Sequence, residues 1–269
     1  MEKSAVSTRL IGGLGNYILQ IACAYCYAKK YDKELILSTD DSFVGHKHLN
    51  EYKNNILSNI KFVDKYVYSG FKTYSEKGFH FEEIPFIEGN VILNGYWQTN
   101  KYWTGYEKEV KELFKIPEEA LANVKEKYKD LLGQKENLCS VHVRRGDYVG
   151  LENYHAPQGL NYYMKAIKML DGENVKFVIF SDDIAFCRTI FPDIEDKFVY
   201  MEGNADFEEI WLMGQCKNNI IANSTFSWLS TVLFNDNPDK KVIIPDKWFG
   251  PAYNDKNTKD LYLEGWIRI

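Results

Sequence analysis

The chain lacks an excess of positive charge, a pairable set of cysteines and any long hydrophobic run, and each absence removes a class of function. Lys and Arg number 33 against 38 Asp and Glu, a net charge of -5, with a pI near 5.7. Without a basic field it is no general nucleic-acid binder, so any anion must be held locally. The five cysteines, Cys23, Cys26, Cys139, Cys187 and Cys216, are odd in number and lie mostly in apolar segments. That excludes a disulfide framework and suits reduced thiols in a cytoplasm. Cys23-Ala-Tyr-Cys26 has CxxC spacing but lies in an apolar helical stretch with no second pair, which favours packing over zinc or redox work. No secretory signal is evident, and the longest apolar stretch, 17–28, is too short to span a bilayer.

Two phosphate fingerprints are incomplete. Gly12-Gly13-Leu14-Gly15-Asn16 sits between an expected strand (6–11) and a helix running to about Tyr31, but the third glycine of GxGxxG is replaced by Ile18 and no Gly-Lys-Ser/Thr follows. The loop still offers free N–H groups at a helix start, so Gly13, Gly15 and Asn16 are candidates for a ligand, with tight packing as the rival account. An NAD-dependent oxidoreductase stays open as an alternative on this loop alone. The His46-Lys47-His48 run lacks carboxylate or Cys neighbours and makes a poor metal site.

What is present describes a globular α/β chain of 269 residues, 45% hydrophobic and 26% charged. Aromatics reach 15%, with 19 Tyr and 6 Trp, as in sugar-binding clefts, though such rings also fill cores. Residues 42–86 show weak periodicity and read as irregular. A strand at 90–96 ends in Gly95-Tyr96-Trp97-Gln98, where an acceptor has aromatic and amide partners. Helices follow at 101–114 and 117–132, and Gly133 closes the second. The polar stretch after it sets an expected boundary between domains 1–133 and 134–269.

From there strands at 138–143, 175–180, 197–201, 218–222 and 241–244 alternate with helices, the pattern of a doubly wound parallel sheet. Ligands in such sheets lie beyond the carboxyl ends of the strands. Three of those ends carry polar groups. His142, Arg144, Arg145 and Asp147 follow the first; alternation puts His142 and Arg144 on one side, Val141 and Val143 on the other. Paired arginines need carboxylates or an anion, so Asp147 can hold one and a phosphate the other; a wholly Asp-paired cluster is the plainer account. Ser181-Asp182-Asp183 follows the second, with Ser181 a helix cap and an aspartate free for a guanine edge or ribose. Asn223-Ser224-Thr225-Phe226 opens a helix after the third and can donate to phosphate.

With these motifs in place the chain resembles the α-1,2-fucosyltransferase family, glycosyltransferase family 11. The likeness runs nearly end to end, through the GGLGN loop with Gln20, Gly95-Tyr96-Trp97-Gln98, His142 to Tyr148, Phe180 to Asp183 and Cys216 to Trp228. Tyr17 and Leu229 depart from the family's common Gln and Trp. The resemblance implies a GT-B-like fold of two Rossmann-like domains facing a cleft. It implies an inverting transferase that moves L-fucose from GDP-fucose to a galactose hydroxyl of a glycan, and a GDP-sugar of another hexose is the alternative. No metal or other cofactor is implied, and the sequence has no pair of aspartates two apart. Arg144 would grip the β-phosphate with Arg145 in support. His142 and Asp182 or Asp183 would address guanine or ribose, and Ser224, Thr225 and Phe226 would close on the phosphates. Asp147 is the favoured general base, ahead of His155, Glu82 and Glu83. The partners expected are the GDP-sugar and the glycan, with no nucleic acid. A cytoplasmic, bacterial location follows, with peripheral membrane association only through a lipid-linked acceptor.

Overall fold

The computed structural model describes residues 3–38, 49–63, 68–191 and 197–269. The chain divides into two compact units, Met1–Ala120 with Asn257–Leu261, and Leu121–Lys256 with Tyr262–Ile269. The expected boundary after Gly133 falls inside the second unit. The reason lies in the helix before it: Lys125 sits over the Trp211 ring, and Lys127 and Tyr128 donate to Asn204.

The first unit begins with β1 (Ala5–Thr8), α1 (Leu14–Lys30) and β2 (Glu34–Leu35). The expected strand at 34–38 is split, because β2 pairs with β1 while β3 (Leu37–Ser38) pairs with β4 (Phe62–Val63). β5 (Lys72–Ser75) and β6 (Val91–Asn94) complete a parallel sheet ordered β2-β1-β6-β5. β5 corrects the irregular reading of 42–86. It is an edge strand with three of its four residues exposed, so it carries no hydrophobic alternation to read. His46 and His48 lie outside the described residues. α1 buries nearly its whole circumference, as expected of a helix apolar all round.

The helix expected at 101–114 is two pieces. A single 3-10 turn at Asn100–Trp103 is capped by Thr99, and α2 (Glu107–Leu113) follows Gly105, whose φ of +87 ends the turn. α3 (Glu118–Lys127) crosses into the second unit, where α4 (Lys129–Leu132) lies.

That unit alternates β7 (Leu138–Val143), α5 (Leu160–Leu170), β8 (Lys176–Ser181), α6 (Ile184–Ile190), β9 (Phe198–Tyr200), α7 (Asp206–Gln215), β10 (Asn218–Ile220), α8 (Thr225–Leu233) and β11 (Val242–Ile244). Each of these elements falls within a residue or two of its sequence expectation; β12 (Ile267–Arg268), too short for periodicity, was not foreseen. All pairings are parallel, in the order β12-β11-β10-β7-β8-β9. Cys139, Val141 and Val143 face Tyr163, Ala166 and Ile167 of α5 in one core. Each such apolar side chain contributes about 1.5–3 kcal/mol on burial. Ser140 faces the other way, where the buried Asn219 amide donates to its Oγ at 2.7 Å and to the Met213 carbonyl at 2.9 Å. Those bonds tie β7, β10 and α7 together.

Candidate active site

In the second sheet the strand order reverses between β7 and β10: from β7 the chain builds outward to β9, then returns to β10 on the opposite flank. Loops diverge there and leave a crevice at the carboxyl edge. Arg144 and Arg145 leave β7 on one flank and Ser224 starts α8 on the other. Two contacts span the crevice. Tyr148 donates its hydroxyl to the Asn223 carbonyl at 2.9 Å, and the His142 and Phe226 rings lie 5.7 Å apart.

Both arginines have carboxylate partners. Arg144 reaches Asp147 Oδ1 through Nη2 at 2.6 Å and Asp182 Oδ2 through Nη1 at 2.9 Å. The Arg145 backbone N–H donates to Asp182 Oδ1 at 2.9 Å, and its Nε to Asp183 Oδ2 at 3.1 Å, while its guanidinium lies 3.4 Å from the Phe186 ring centroid. Asp147 thus holds Arg144, and Asp182 and Asp183 engage the pair as well. Two cations meet three carboxylates within reach, a formal sum of -1. What stays open is geometric: among the described residues no acid takes Arg144 Nε or the Arg145 terminal nitrogens. Gly146 makes the arrangement fit, since a Cβ there would lie 2.6 Å from Asp182 Oδ2.

The remaining candidates separate by what their groups already do. Asp183, not Ser181, caps α6, accepting from Phe186 N at 3.0 Å; Ser181 Oγ accepts from Asp183 N. The Phe186 N–H and then Arg145 hold the Asp183 carboxyl below its ordinary range. Asn223 is buried, its Nδ2 donating to the Trp248 carbonyl and its Oδ1 accepting from Gln158, so its amide closes a loop. Ser224 sits at the N-cap of α8 without using its hydroxyl as a cap, and Thr225 and Phe226 are half-buried beside it. His142 is buried, its Nδ1 has no hydrogen-bond partner among the described residues, and burial with the Arg144 charge takes its pKa down to about 3. It is neutral at neutral pH. His155 stacks on Tyr148 at 4.6 Å. Glu82 pairs with Lys77, and Glu83 with Lys30.

Gly13, Gly15 and Asn16 belong to the first unit, at the reversal of strand order between β1 and β6. Gly15 lies in the first turn of α1 and is buried. The glycine that the backbone demands is Gly12, with φ +88 and a would-be Cβ 2.2 Å from Asn16 Nδ2. Gln20 clamps the loop by exchanging two hydrogen bonds with Ile11, at 3.0 and 3.1 Å. Gln98 donates to Asn16 Oδ1 at 3.2 Å across the reversal. Glu76 completes this edge: its carboxylate accepts from Tyr96 N at 2.7 Å and from Trp97 N at 3.0 Å. Sequence reasoning missed it, because it follows an edge strand in a stretch without periodicity. Among the described residues, no group of three His, Cys, Asp or Glu side chains could hold a metal ion, and no helix is long and apolar enough to cross a membrane.

The comparisons agree with this architecture. The chain is 30% identical to an O-antigen biosynthesis glycosyltransferase, WbnK, of Escherichia coli, with 97% of this chain and 99% of that one aligned. It is 30% identical to an alpha-1,2-colitosyltransferase of the same organism, over 99% of each. Among solved structures, the fucosyltransferase NodZ from Bradyrhizobium superposes with a TM-score of 0.58 at 15% identity, over 89% of this chain and 97% of that one. The POFUT1 apo-form superposes with a TM-score of 0.52 at 10% identity, over 91% and 98%. These likenesses bear out the expected α/β, GT-B-like fold class. The description of glycosyl transferase family 11 matches residues 3–269, and the chain belongs to that family.

Proposed function

We propose that this transferase moves L-fucose from GDP-fucose to a galactose hydroxyl of a glycan, with inversion at the sugar carbon to give an α-1,2 linkage. The observation that carries the reading is the Arg144 and Arg145 pair at the β7/β10 reversal, oriented by Asp147, Asp182 and Asp183. As GDP departs, negative charge builds on the β-phosphate. Guanidinium groups already oriented by carboxylates stabilise that charge without reorganising. Because the cluster sums to -1, the diphosphate enters by displacing a carboxylate. Asp147, the more exposed partner of Arg144, is the one released, and it is then free to take the acceptor proton. Ser224 Oγ and the first N–H groups of α8 supply further donors.

A fold likeness to a fucosyltransferase crystallised with GDP supports the nucleotide, and membership in a glycosyltransferase family sets the oxidoreductase alternative aside. A second reading keeps the nucleotide and changes the sugar, since one relative is named a colitosyltransferase. The test is a panel of GDP-sugars with galactosides, followed by GDP release and by NMR of the product's anomeric proton. GDP release with GDP-fucose and an α-linked product support the proposal; folded protein that releases GDP from no donor overturns it. EDTA should leave the rate unchanged.

A further inference from the structure

Tyrosine hydroxyls close on backbone carbonyls at the carboxyl edge of the second sheet. From α5, Tyr163 donates to the His142 carbonyl at 3.1 Å, and the Tyr162 hydroxyl lies 2.6 and 3.1 Å from the carbonyls of Ile221 and Ile243. These bonds steady neighbouring strands that the sheet already pairs. Tyr148 differs, because it crosses the crevice. It shares the turn of Arg144, Arg145 and Asp147, yet its buried hydroxyl reaches the Asn223 carbonyl, one residue before the Ser224 that precedes α8. The Asn223 amide is itself held by the Trp248 carbonyl and Gln158, so the far end of this link is fixed. Burial raises the Tyr148 pKa, which keeps the hydroxyl a donor at neutral pH.

The near end touches the arginine. The Arg144 guanidinium carbon lies 5.6 Å from the Tyr148 ring centroid, within cation–π reach, and His155 stacks on the same ring at 4.6 Å with 15° between the planes. The loop carrying His155 is pinned in turn, where the N–H groups of Gly250 and Ala252 donate to the carbonyls of Tyr154 and Asn153 at 2.9 and 2.7 Å. Asp147 and Asp182 are the two carboxylates on Arg144, and the displacement step proposed above removes the first. An arginine that loses one of two anchors regains rotamer freedom, which the transition state must then restrict again. The Tyr148 ring stays in place through that step, since its hydroxyl is tied to the opposite flank.

We infer that Tyr148 is a positioning residue, which keeps Arg144 aimed at the diphosphate once Asp147 has let go. The inference rests on the transfer reading above and deepens its donor side. Tyr148→Phe keeps the ring and removes the tie. GDP affinity, read by calorimetry, and kcat should each fall about tenfold, with acceptor KM held within about twofold. In an Arg144→Ala background the same substitution should cost less than about twofold, because Tyr148 acts through Arg144. Unchanged GDP affinity and kcat in Tyr148→Phe overturn the inference. So do equal losses in both backgrounds accompanied by a lower melting temperature, which mark a merely structural role. Should the variant not fold, the Arg144 Nε–H resonance of the wild type, assigned by its loss in Arg144→Lys, carries the test: it should stay ordered with GDP bound, and a mobile guanidinium in that complex sinks the idea. Wild type that binds GDP and shows the coupling in affinity, yet transfers no sugar, defeats the transfer reading and leaves this inference standing. Wild type that transfers fucose without the coupling does the reverse, and wild type that binds no GDP overturns both.

Discussion

At the reversal point of the second sheet two arginines stand against three aspartates, whereas the first sheet offers there two amides, aromatic rings and one half-buried carboxylate. Both sheets are parallel and both reverse next to their first strand, so the same topology builds two crevices. Topology places a site, and the few side chains that leave the strand ends decide what it holds. The charged edge suits an anion that gains charge during reaction.

The largest effect expected at the charged edge is that of Arg144→Ala, which should lower kcat by about a hundredfold or more and leave acceptor KM nearly unchanged. A matching rise in acceptor KM would blur the division between the edges. Gly146→Ala forces Asp182 aside, and GDP affinity should fall about tenfold, read by calorimetry. Asp147→Asn should act in the opposite direction: removing a competing, partly exposed negative charge tightens GDP binding by roughly threefold to tenfold, while turnover drops. Weaker GDP binding in that variant would contradict the displacement step.

Acid should also separate the edges. The His142 pKa is lowered from 6.5 to about 3, so the stability its neutral form supplies above 6.5 is lost as pH falls toward 3. Glu76 has the opposite sign. Its pKa is raised from 4.5 to about 7, so its contribution is full below 4.5 and is lost as pH rises through 7. Thermal melts against pH should flatten at the acid end in His142→Phe and between those limits in Glu76→Gln. The smallest effect belongs to the surface pair Arg188 and Glu202, where Glu202→Ala should change stability by less than about 1 kcal/mol and neither substrate's binding.

How much of this was legible differs between the units for a physical reason. Around β7 and β8 the helices α5, α6 and α7 cover the sheet, so apolar runs mark strands and the turns between them mark ends; β7 and β8 were readable almost to the residue. Arg144, Arg145, Asp182 and Asp183 were readable as a group because charge at a strand end has few structural uses. Their pairing was not: that Asp183 caps α6 instead of Ser181, or that Asp182 serves both arginines, depends on angstrom-scale approach allowed by Gly146. In the first unit, β5 and Glu76 gave no sign. An edge strand with exposed side chains has no alternation, and a lone glutamate after it looks like a solvated charge.

The sequence alone determined the α/β alternation, the family and the set of residues at the charged edge, since burial periodicity and motif spacing are local properties of the chain. Only the tertiary structure decided which carboxylate holds which arginine, and it alone revealed Glu76 beneath the turn at 95–97. Those outcomes depend on segments far apart in sequence meeting at hydrogen-bond distance, and no local pattern encodes that.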